Sequence, residues 1–310
     1  MRAVAALGGN AFAARGSALT MEGQFRYARD ALRQLGPLFE PGVDLLLTHG
    51  NGPQVGHELV RVERAQGEAY TLPLDVCVAE TQGELGYVLC RTLRDLFEGD
   101  RRARPVASLV TQVEVDPGDP AFAAPTKPVG PVLDEAQAAA LQARGVVVRE
   151  DAGRGLRRVV PSPEPLRVVE TDVIRALLGL GVAVVAAGGG GVPVARVGGA
   201  LQGVEAVVDK DLTAALLADA LQADLLLILT DVPCACTDYR TPREQPLGPI
   251  TAGRARELLR QGHFAPGSMA PKVEACARFA ARPGRRAAIC DLPHLAGALR
   301  GEAGTVITAS

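Results

Sequence analysis

Residues 182–232 read VAVVAAGGGG (182–191), VPVARVGGALQGVEAVVDKD (192–211), LTAALLADALQA (212–223) and DLLLILTDV (224–232). Val182–Ala186 is a short apolar, β-branched run with the length of a buried parallel strand. Gly188, Gly189, Gly190 and Gly191 follow where such a strand ends and its backbone approaches something closely. Asp209, Lys210 and Asp211 stand directly before an alanine- and leucine-rich run long enough for a helix. Leu225–Leu229 reads as a second buried strand, ended by Thr230 and Asp231. Two strand ends, a glycine bend and one cation between two carboxylates suit phosphoryl binding and transfer better than they suit a structural module.

The same alternation extends outward in both directions. Ala3–Leu7 reads as the first strand and runs into Gly8 and Gly9, a pair that brings backbone N–H groups to a ligand. Thr20–Leu38 has a helical pattern broken at Gly36-Pro37. Val43–Leu47 predicts a strand, and the loop THGNGPQVG (48–56) predicts an exacting turn before a helix over Glu58–Ala65. Leu74–Phe97 has helix-forming residues, while Gly83 and Gly86 either weaken that helix or allow close helix packing, a dimer interface included, and the sequence does not separate these uses. Val106–Val110 is another strand. The segment TQVEVDPGDPAFAAPTKPVGPVL (111–133) then carries five prolines, which argues against regular core structure there. A short helix over Asp134–Ala143 and a hairpin turning at Gly153 and Gly155 complete a small lobe over about 112–166. Beyond it, Thr171 or Asp172 can cap a helix ending at Gly179. Further helices over Thr251–Gln261 and Val273–Ala281 and strands at Ala287–Cys290 and Thr305–Thr308 close the pattern. Repeated βα units predict a mostly parallel sheet covered by helices on both faces.

Composition narrows the function. The 310 residues carry a net charge of -2, which supplies no electrostatic reason for a nucleic-acid or membrane partner. No apolar run reaches the roughly 20 residues of a membrane span. GGN interrupts the apolar start MRAVAALGGNAF, so a cytoplasmic location is expected. The 6 cysteines are scattered, and Cys234 with Cys236 is their one close pair. His49 and His57 lack a third ligand at metal spacing and read as packing or hydrogen-bonding residues. Lysine and arginine total 33, yet lysine occurs only at 127, 210 and 272. A compact, movable ammonium binds phosphate as a point charge, so each of these scarce lysines is a candidate for function.

The chain lacks GxxxxGK[ST], GxGxxG, kinase HRD or DFG and GxSxG signatures, and its serines and cysteines lack a nearby base. What remains are three strand-end glycine clusters and three isolated lysines read as lying in loops. Phosphoryl transfer needs chiefly positioning and charge neutralisation, which backbone N–H groups and lysines supply.

ALGGNA (6–11), THGNGPQVG (48–56), PLDVCVAETQGELGY (73–87), VTQVEVDPGDPAFAAPTKPVGP (110–131), RRVVPSP (157–163), GGGGVPV (188–194), GVEAVVDKDLTAALLA (203–218), LLILTDV (226–232) and GHFAPGSMAPKVEA (262–275) together resemble the motifs of the carbamate kinase family, in the amino acid kinase superfamily. The resemblance spans residues 3–308, and its PTK (125–127) and VDKD (208–211) elements separate this family from its superfamily siblings. It implies a three-layer αβα sandwich around a mostly parallel sheet, with a small projecting subdomain. An acceptor lobe would cover 1–180, including the lid at about 112–166, and an ATP-binding lobe 181–310. The implied reaction is reversible: ATP and carbamate give ADP and carbamoyl phosphate, with Mg²⁺ held mainly by the nucleotide phosphates and no protein metal ligand. A homodimer with a small-molecule substrate, working in arginine metabolism after arginine deiminase, is implied as well.

Carried onto this chain, the resemblance makes Lys127, Lys210, Asp209 and Asp211 catalytic. Lys127 and Lys210 flank the phosphoryl group, Asp211 holds the lysines and Asp209 orients Lys210. Lys127 looks like the substitute for a lysine that siblings carry where this chain has Ala6. Gly8, Gly9, Asn10, Gly50, Asn51, Gly52, Gly188, Gly189 and Gly190 surround the substrate and transferred group, while Lys210, Asp231, Met269 and Lys272 serve the nucleotide. Three positions depart from the pattern: Ala270 stands where glycine is common and strains the turn if its φ is positive, VPCACTDYRTPREQ (232–245) displaces an expected aromatic residue, and Leu156 replaces a frequent tryptophan. Two other readings stay open. One is a sibling kinase acting on another carboxylate, which needs a larger acceptor site. The other is a non-catalytic nucleotide-binding regulator, which has no need of three cations around a transferred group.

Overall fold

A computed structural model of the chain describes residues 1–9, 12, 20–151 and 155–310. Its main sheet has eight strands in the order Ile250–Thr251, Thr305–Thr308, Arg286–Cys290, Leu225–Leu229, Arg2–Leu7, Asp44–His49, Ala183–Val185, Val106–Ser108. Arg286–Cys290 runs antiparallel to Thr305–Thr308, and the other adjacent pairs are parallel. The sheet is therefore mostly parallel.

Period-two alternation divides each central strand between two cores. Val4, Ala6, Leu46, Val184, Leu226 and Ile228 face one side, where Ile174, Leu217, Leu258 and Val273 pack from four helices. Ala3, Ala5, Leu45, Leu47, Val185, Leu225 and Leu227 face the other, against Leu32, Leu85, Leu89 and Leu295. Because both faces are buried, the strands carry no polar alternation and read as continuous apolar runs. Each fully buried leucine contributes about 1.5–3 kcal/mol relative to exposure. The result is a three-layer αβα sandwich.

The segment 112–166 divides between two smaller sheets. Its ends, Gln112–Val115 and Pro165–Val168, join Val192–Val197 and Ala200–Gly203 in a four-stranded sheet. Its middle forms a three-stranded sheet of Lys127–Leu133, Leu156–Val160 and Val148–Glu150, with the helix Glu135–Ala143 beside it. Asp134 and Gln137 cap that helix reciprocally. The expected hairpin is present, with Glu150 opposite Leu156; Gly153 of its turn lies outside the described residues. The proline-rich run is more regular than expected. Pro128 and Pro131 lie in Lys127–Leu133, which occupies the edge of its sheet, where a missing N–H leaves no ladder bond broken.

Three local expectations change. The helix expected from Glu58 begins at Gly52, with Pro53 in its first turn, where an N–H has no intrahelical partner to lose. Glu170, rather than Thr171 or Asp172, occupies the N-cap of the helix Thr171–Gly179, and the Thr171 hydroxyl instead donates to Val168 O at 2.7 Å. The helix expected from Val273 begins at Met269, so Ala270 is helical and its φ is not positive. The strain foreseen at Ala270 does not arise.

Candidate active site

Chain order reverses across Arg2–Leu7, which has Asp44–His49 on one side and Leu225–Leu229 on the other. In open α/β sheets such a switch point opens a crevice at the carboxyl ends of the strands. Four connections meet there: Gly8–Gly9, Gly50–Gly52, Ala187–Gly191 and Thr230–Asp231. Gly8 N donates to Leu229 O at 2.9 Å and Gly50 N to Leu7 O at 3.0 Å, so the first turns continue the strand ladder. Asn10 lies outside the described residues.

The glycine turn at 188–191 is held from both sides. Ala187 adopts the left-handed region with φ 52° and ψ 35°, an uncommon conformation for a residue with a side chain. Its N–H donates to Thr111 Oγ1 at 3.1 Å, and its carbonyl accepts from Thr48 Oγ1 at 2.8 Å. A Cβ on Gly188 would lie 2.4 Å from the His49 ring, on Gly189 2.2 Å from the Asn51 amide, and on Gly190 2.5 Å from Val208 O. Glycine is thus required by close approach as well as by the positive φ of Gly189 and Gly190.

Around this turn the walls are buried and polar. Asn51 Nδ2 donates to Thr81 Oγ1 at 2.9 Å, and Gln82 exchanges two hydrogen bonds with the Thr111 backbone at 2.9 and 3.0 Å. His49 is 1% exposed, with Nδ1 placed to donate to Gly50 O at 3.2 Å. Burial, joined by the nearby Lys210 charge and only partly opposed by the Gly50 carbonyl, lowers its pKa to about 4. The imidazole is therefore a neutral wall at pH 7. His49 packs edge-on against Phe12 and hydrogen-bonds Gly50 O, as its sequence context suggests.

The cations come from three separate elements. Lys127 opens its edge strand, Lys210 opens the helix Lys210–Ala220, and Lys272 lies in the first turn of the helix Met269–Phe279. The sequence reads all three as loop residues because each lies at or near the start of an element, behind turn-forming or proline-rich residues. Asp209 is the N-cap of Lys210–Ala220: its Oδ1 accepts from Asp211 N at 2.9 Å, and its Oδ2 accepts from Lys127 Nζ at 2.5 Å. Asp211 takes Lys210 Nζ on Oδ1 and Lys272 Nζ on Oδ2, the latter at 2.6 Å. Asp211 thus pairs with Lys210 and Lys272, and Asp209 pairs with Lys127 while its charge also reaches Lys210.

Electrostatics follow from that pairing. Burial works to raise the pKa of Asp211, but Lys210 and Lys272 outweigh it and hold the carboxyl below its usual range. Asp209 is lowered in the same way, its burial outweighed chiefly by Lys127. Burial lowers Lys210, while Lys272 is raised because Asp211 overcomes its desolvation. The stem of Lys210 lies over the Gly50–Gly52 turn, since a Cβ on Gly50 would sit 3.5 Å from Lys210 Cε. Thr213 Oγ1 donates to Gly190 O at 3.0 Å and ties the lysine-bearing helix to the glycine turn.

At the margin, Asp231 is exposed beyond Leu225–Leu229, where its Oδ1 accepts from Thr230 Oγ1 at 3.2 Å and its charge reaches Lys272. Met269 is half-buried against the core. Thr48, Thr111 and Gln82 were not foreseen. Their side chains act on backbone atoms far away in sequence, and nothing local marks them.

A doubly covered, mostly parallel sheet, close-packed glycine turns at its strand ends and lysines converging on buried Asp211 and part-buried Asp209 define a phosphotransferase. The Amino acid kinase family matches residues 1–291, and the chain belongs to that family. It is 45% identical over 311 residues to the carbamate kinase of Thermococcus kodakarensis, covering 99% of this chain and 98% of that protein. The structure of the Giardia lamblia carbamate kinase bound to citric acid superposes with a TM-score of 0.93 at 40% identity, covering 99% of this chain and 98% of the other. The same Giardia lamblia enzyme bound to AMP-PNP superposes at 0.90, with equal identity and coverage.

Proposed function

We propose that this chain is a carbamate kinase, transferring a phosphoryl group reversibly between ATP and carbamate. The observation that carries the proposal is the meeting of Lys127, Lys210 and Lys272 on Asp209 and Asp211 beside the Gly188–Gly190 turn. Residues 1–180, with the lid at about 112–166, would hold the carbamoyl group, and 181–310 the nucleotide. Gly8, Gly9, Asn10 and Gly50–Gly52 would line the acceptor side. Asp231, Met269 and Lys272 would serve the nucleotide side.

Transfer would be direct and in line. The lysines would neutralise charge on the moving oxygens, a stabilisation expressed mainly in the transition state. Neutral His49 would wall the site without adding a fourth charge. Both Asp211 oxygens take an ammonium and both Asp209 oxygens take a donor. This donor set fits Mg²⁺ delivered on the nucleotide phosphates, where it would neutralise phosphoryl charge. A homodimer acting in the cytoplasm, in arginine breakdown after arginine deiminase, completes the proposal. Among the described residues no helix is long and apolar enough to cross a membrane.

A coupled assay of ATP formation from ADP, Mg²⁺ and carbamoyl phosphate tests the activity. Parallel reactions offer acetylglutamate, aspartate and UMP in the ATP-consuming direction. Turnover of one of these with none on carbamoyl phosphate would sink the proposal. A regulator that merely binds nucleotide would show ADP binding by calorimetry and no turnover in any reaction.

A further inference from the structure

Lys127 reaches Asp209 from the small three-stranded sheet, so something must register that sheet against the crevice. The ladder between Lys127–Leu133 and Leu156–Val160 pairs Lys127 with Val160, Pro128 with Val159 and Val129 with Arg158, then slips before resuming at Leu133 and Leu156. Gly130 sits in the slip with a φ of 78°. Its carbonyl accepts from Arg157 Nε at 3.1 Å and Nη2 at 2.7 Å, while Arg157 Nη1 donates to Asp151 Oδ2 at 2.8 Å. A guanidinium fork thus serves the carbonyl where cross-strand pairing slips.

The slip has a mechanical result. It presses Gly130 onto the helix Gly52–Arg64 so closely that a Cβ on Gly56 would lie 1.9 Å from Gly130 Cα. That helix begins in the Gly50–Gly52 turn of the active site. Glu63, from the same helix, pairs with Arg158 and makes a second tie to the small sheet. Lys127 is therefore registered to the substrate turn by backbone contact between two glycines, and Arg157 holds one of them.

We infer that Arg157 is a positioning residue that sets Lys127 over the crevice by fixing the Gly130 carbonyl. The inference rests on the proposed phosphoryl-transfer role of Lys127, and its test has one arm that requires no activity. In that arm, Arg157→Gln and wild type are exposed to an amine-acylating reagent, and modification of each lysine is followed by mass spectrometry. The expected result is an acylation rate at Lys127 about 10-fold higher in the variant, with Lys210 and Lys272 within about twofold of wild type.

The second arm measures kcat and KM in wild-type and Lys127→Ala backgrounds. Arg157→Gln lowers kcat about 10-fold with KM for ADP within about twofold. Arg157→Lys, which restores one donor, recovers part of the rate. With Lys127 already removed, Arg157→Gln costs no further kcat. Asp151→Asn, which keeps Arg157 but removes its carboxylate partner, gives a smaller change in the same pattern and guards against a poorly folded Arg157→Gln. Equal acylation gains at all three lysines, unchanged rates at Lys127, or the same loss of kcat in both backgrounds would overturn the inference. A wild-type protein inactive on carbamoyl phosphate whose Lys127 still gains reactivity on its own would overturn only the functional reading.

Discussion

Removing the Lys127 ammonium should produce two separable losses. Lys127 and Asp209 pair at 2.5 Å with side chains 24% and 14% exposed. Lys127→Ala strands Asp209 Oδ2 while its Oδ1 continues to cap the following helix. Breaking a fully buried pair costs about 3–5 kcal/mol, and partial water access at this site reduces the expected loss of stability to about 2 kcal/mol. The catalytic loss has a different origin. A preorganised charge acting on phosphoryl oxygens is worth about 10²–10³ in kcat, or roughly 2.7–4 kcal/mol. Asp209→Asn separates the two, because asparagine keeps the cap and removes the stranded charge. The double variant Lys127→Ala/Asp209→Asn should recover stability to within about 1 kcal/mol of wild type and remain about 100-fold slow. Urea unfolding, steady-state kinetics and ADP calorimetry on the four proteins give the answer, with ADP affinity nearly constant throughout. A Lys127→Ala protein with kcat within about threefold of wild type, or a double variant that regains rate along with stability, refutes the reasoning.

His49 makes stability depend on pH. Its folded pKa of about 4 lies below the ordinary 6.5, so the unfolded chain binds the proton first, and stability is lost as pH falls from about 6.5 to about 4. The loss is on the order of 3 kcal/mol. His49→Gln should flatten urea midpoints between pH 6.5 and 4.5; parallel curves for the two proteins count against this account. Gly189→Ala combines a φ of 65° with a 2.2 Å approach to Asn51, so it should destabilise by at least about 2 kcal/mol. Gly253→Ala, at an uncrowded helical position, should be neutral or stabilising by up to about 1 kcal/mol in the same melts. Ala270→Gly should leave calorimetric ADP affinity unchanged and cost up to about 1 kcal/mol, because Ala270 is helical rather than left-handed.

The sheet was legible because its central strands are buried on both faces. Leu225–Leu229 and Thr305–Thr308 appear with the bounds their composition indicates, as does the helix Leu74–Phe97. Element starts at the site were harder to read. Asn51-Gly52-Pro53 and Gly267-Ser268-Met269 contain turn-forming residues, so they read as loop until the helix they open is seen. The lysines could be picked out by rarity alone, but their partners could not. Asp209 meets Lys127 across 82 positions of sequence, whereas its neighbour Lys210 was the closer candidate in sequence. The sequence leaves Gly83 and Gly86 between weakening their helix and allowing close packing; Gly86 abuts Ser108, where a Cβ would lie 2.0 Å from Oγ. Gly83 has no such neighbour among the described residues.

Confining lysine to the charge cluster also decides how the chain meets a protease that cuts after lysine. The bond after Lys127 precedes proline and resists such cleavage, which leaves those after Lys210 and Lys272. Both begin in helical first turns, with side chains 12% and 17% exposed and held by one aspartate. An extended substrate strand cannot be presented to the protease there without unwinding those turns. Cleavage by a lysine-specific protease therefore reports opening of the lysine–aspartate cluster, whereas an arginine-specific protease samples the whole exterior.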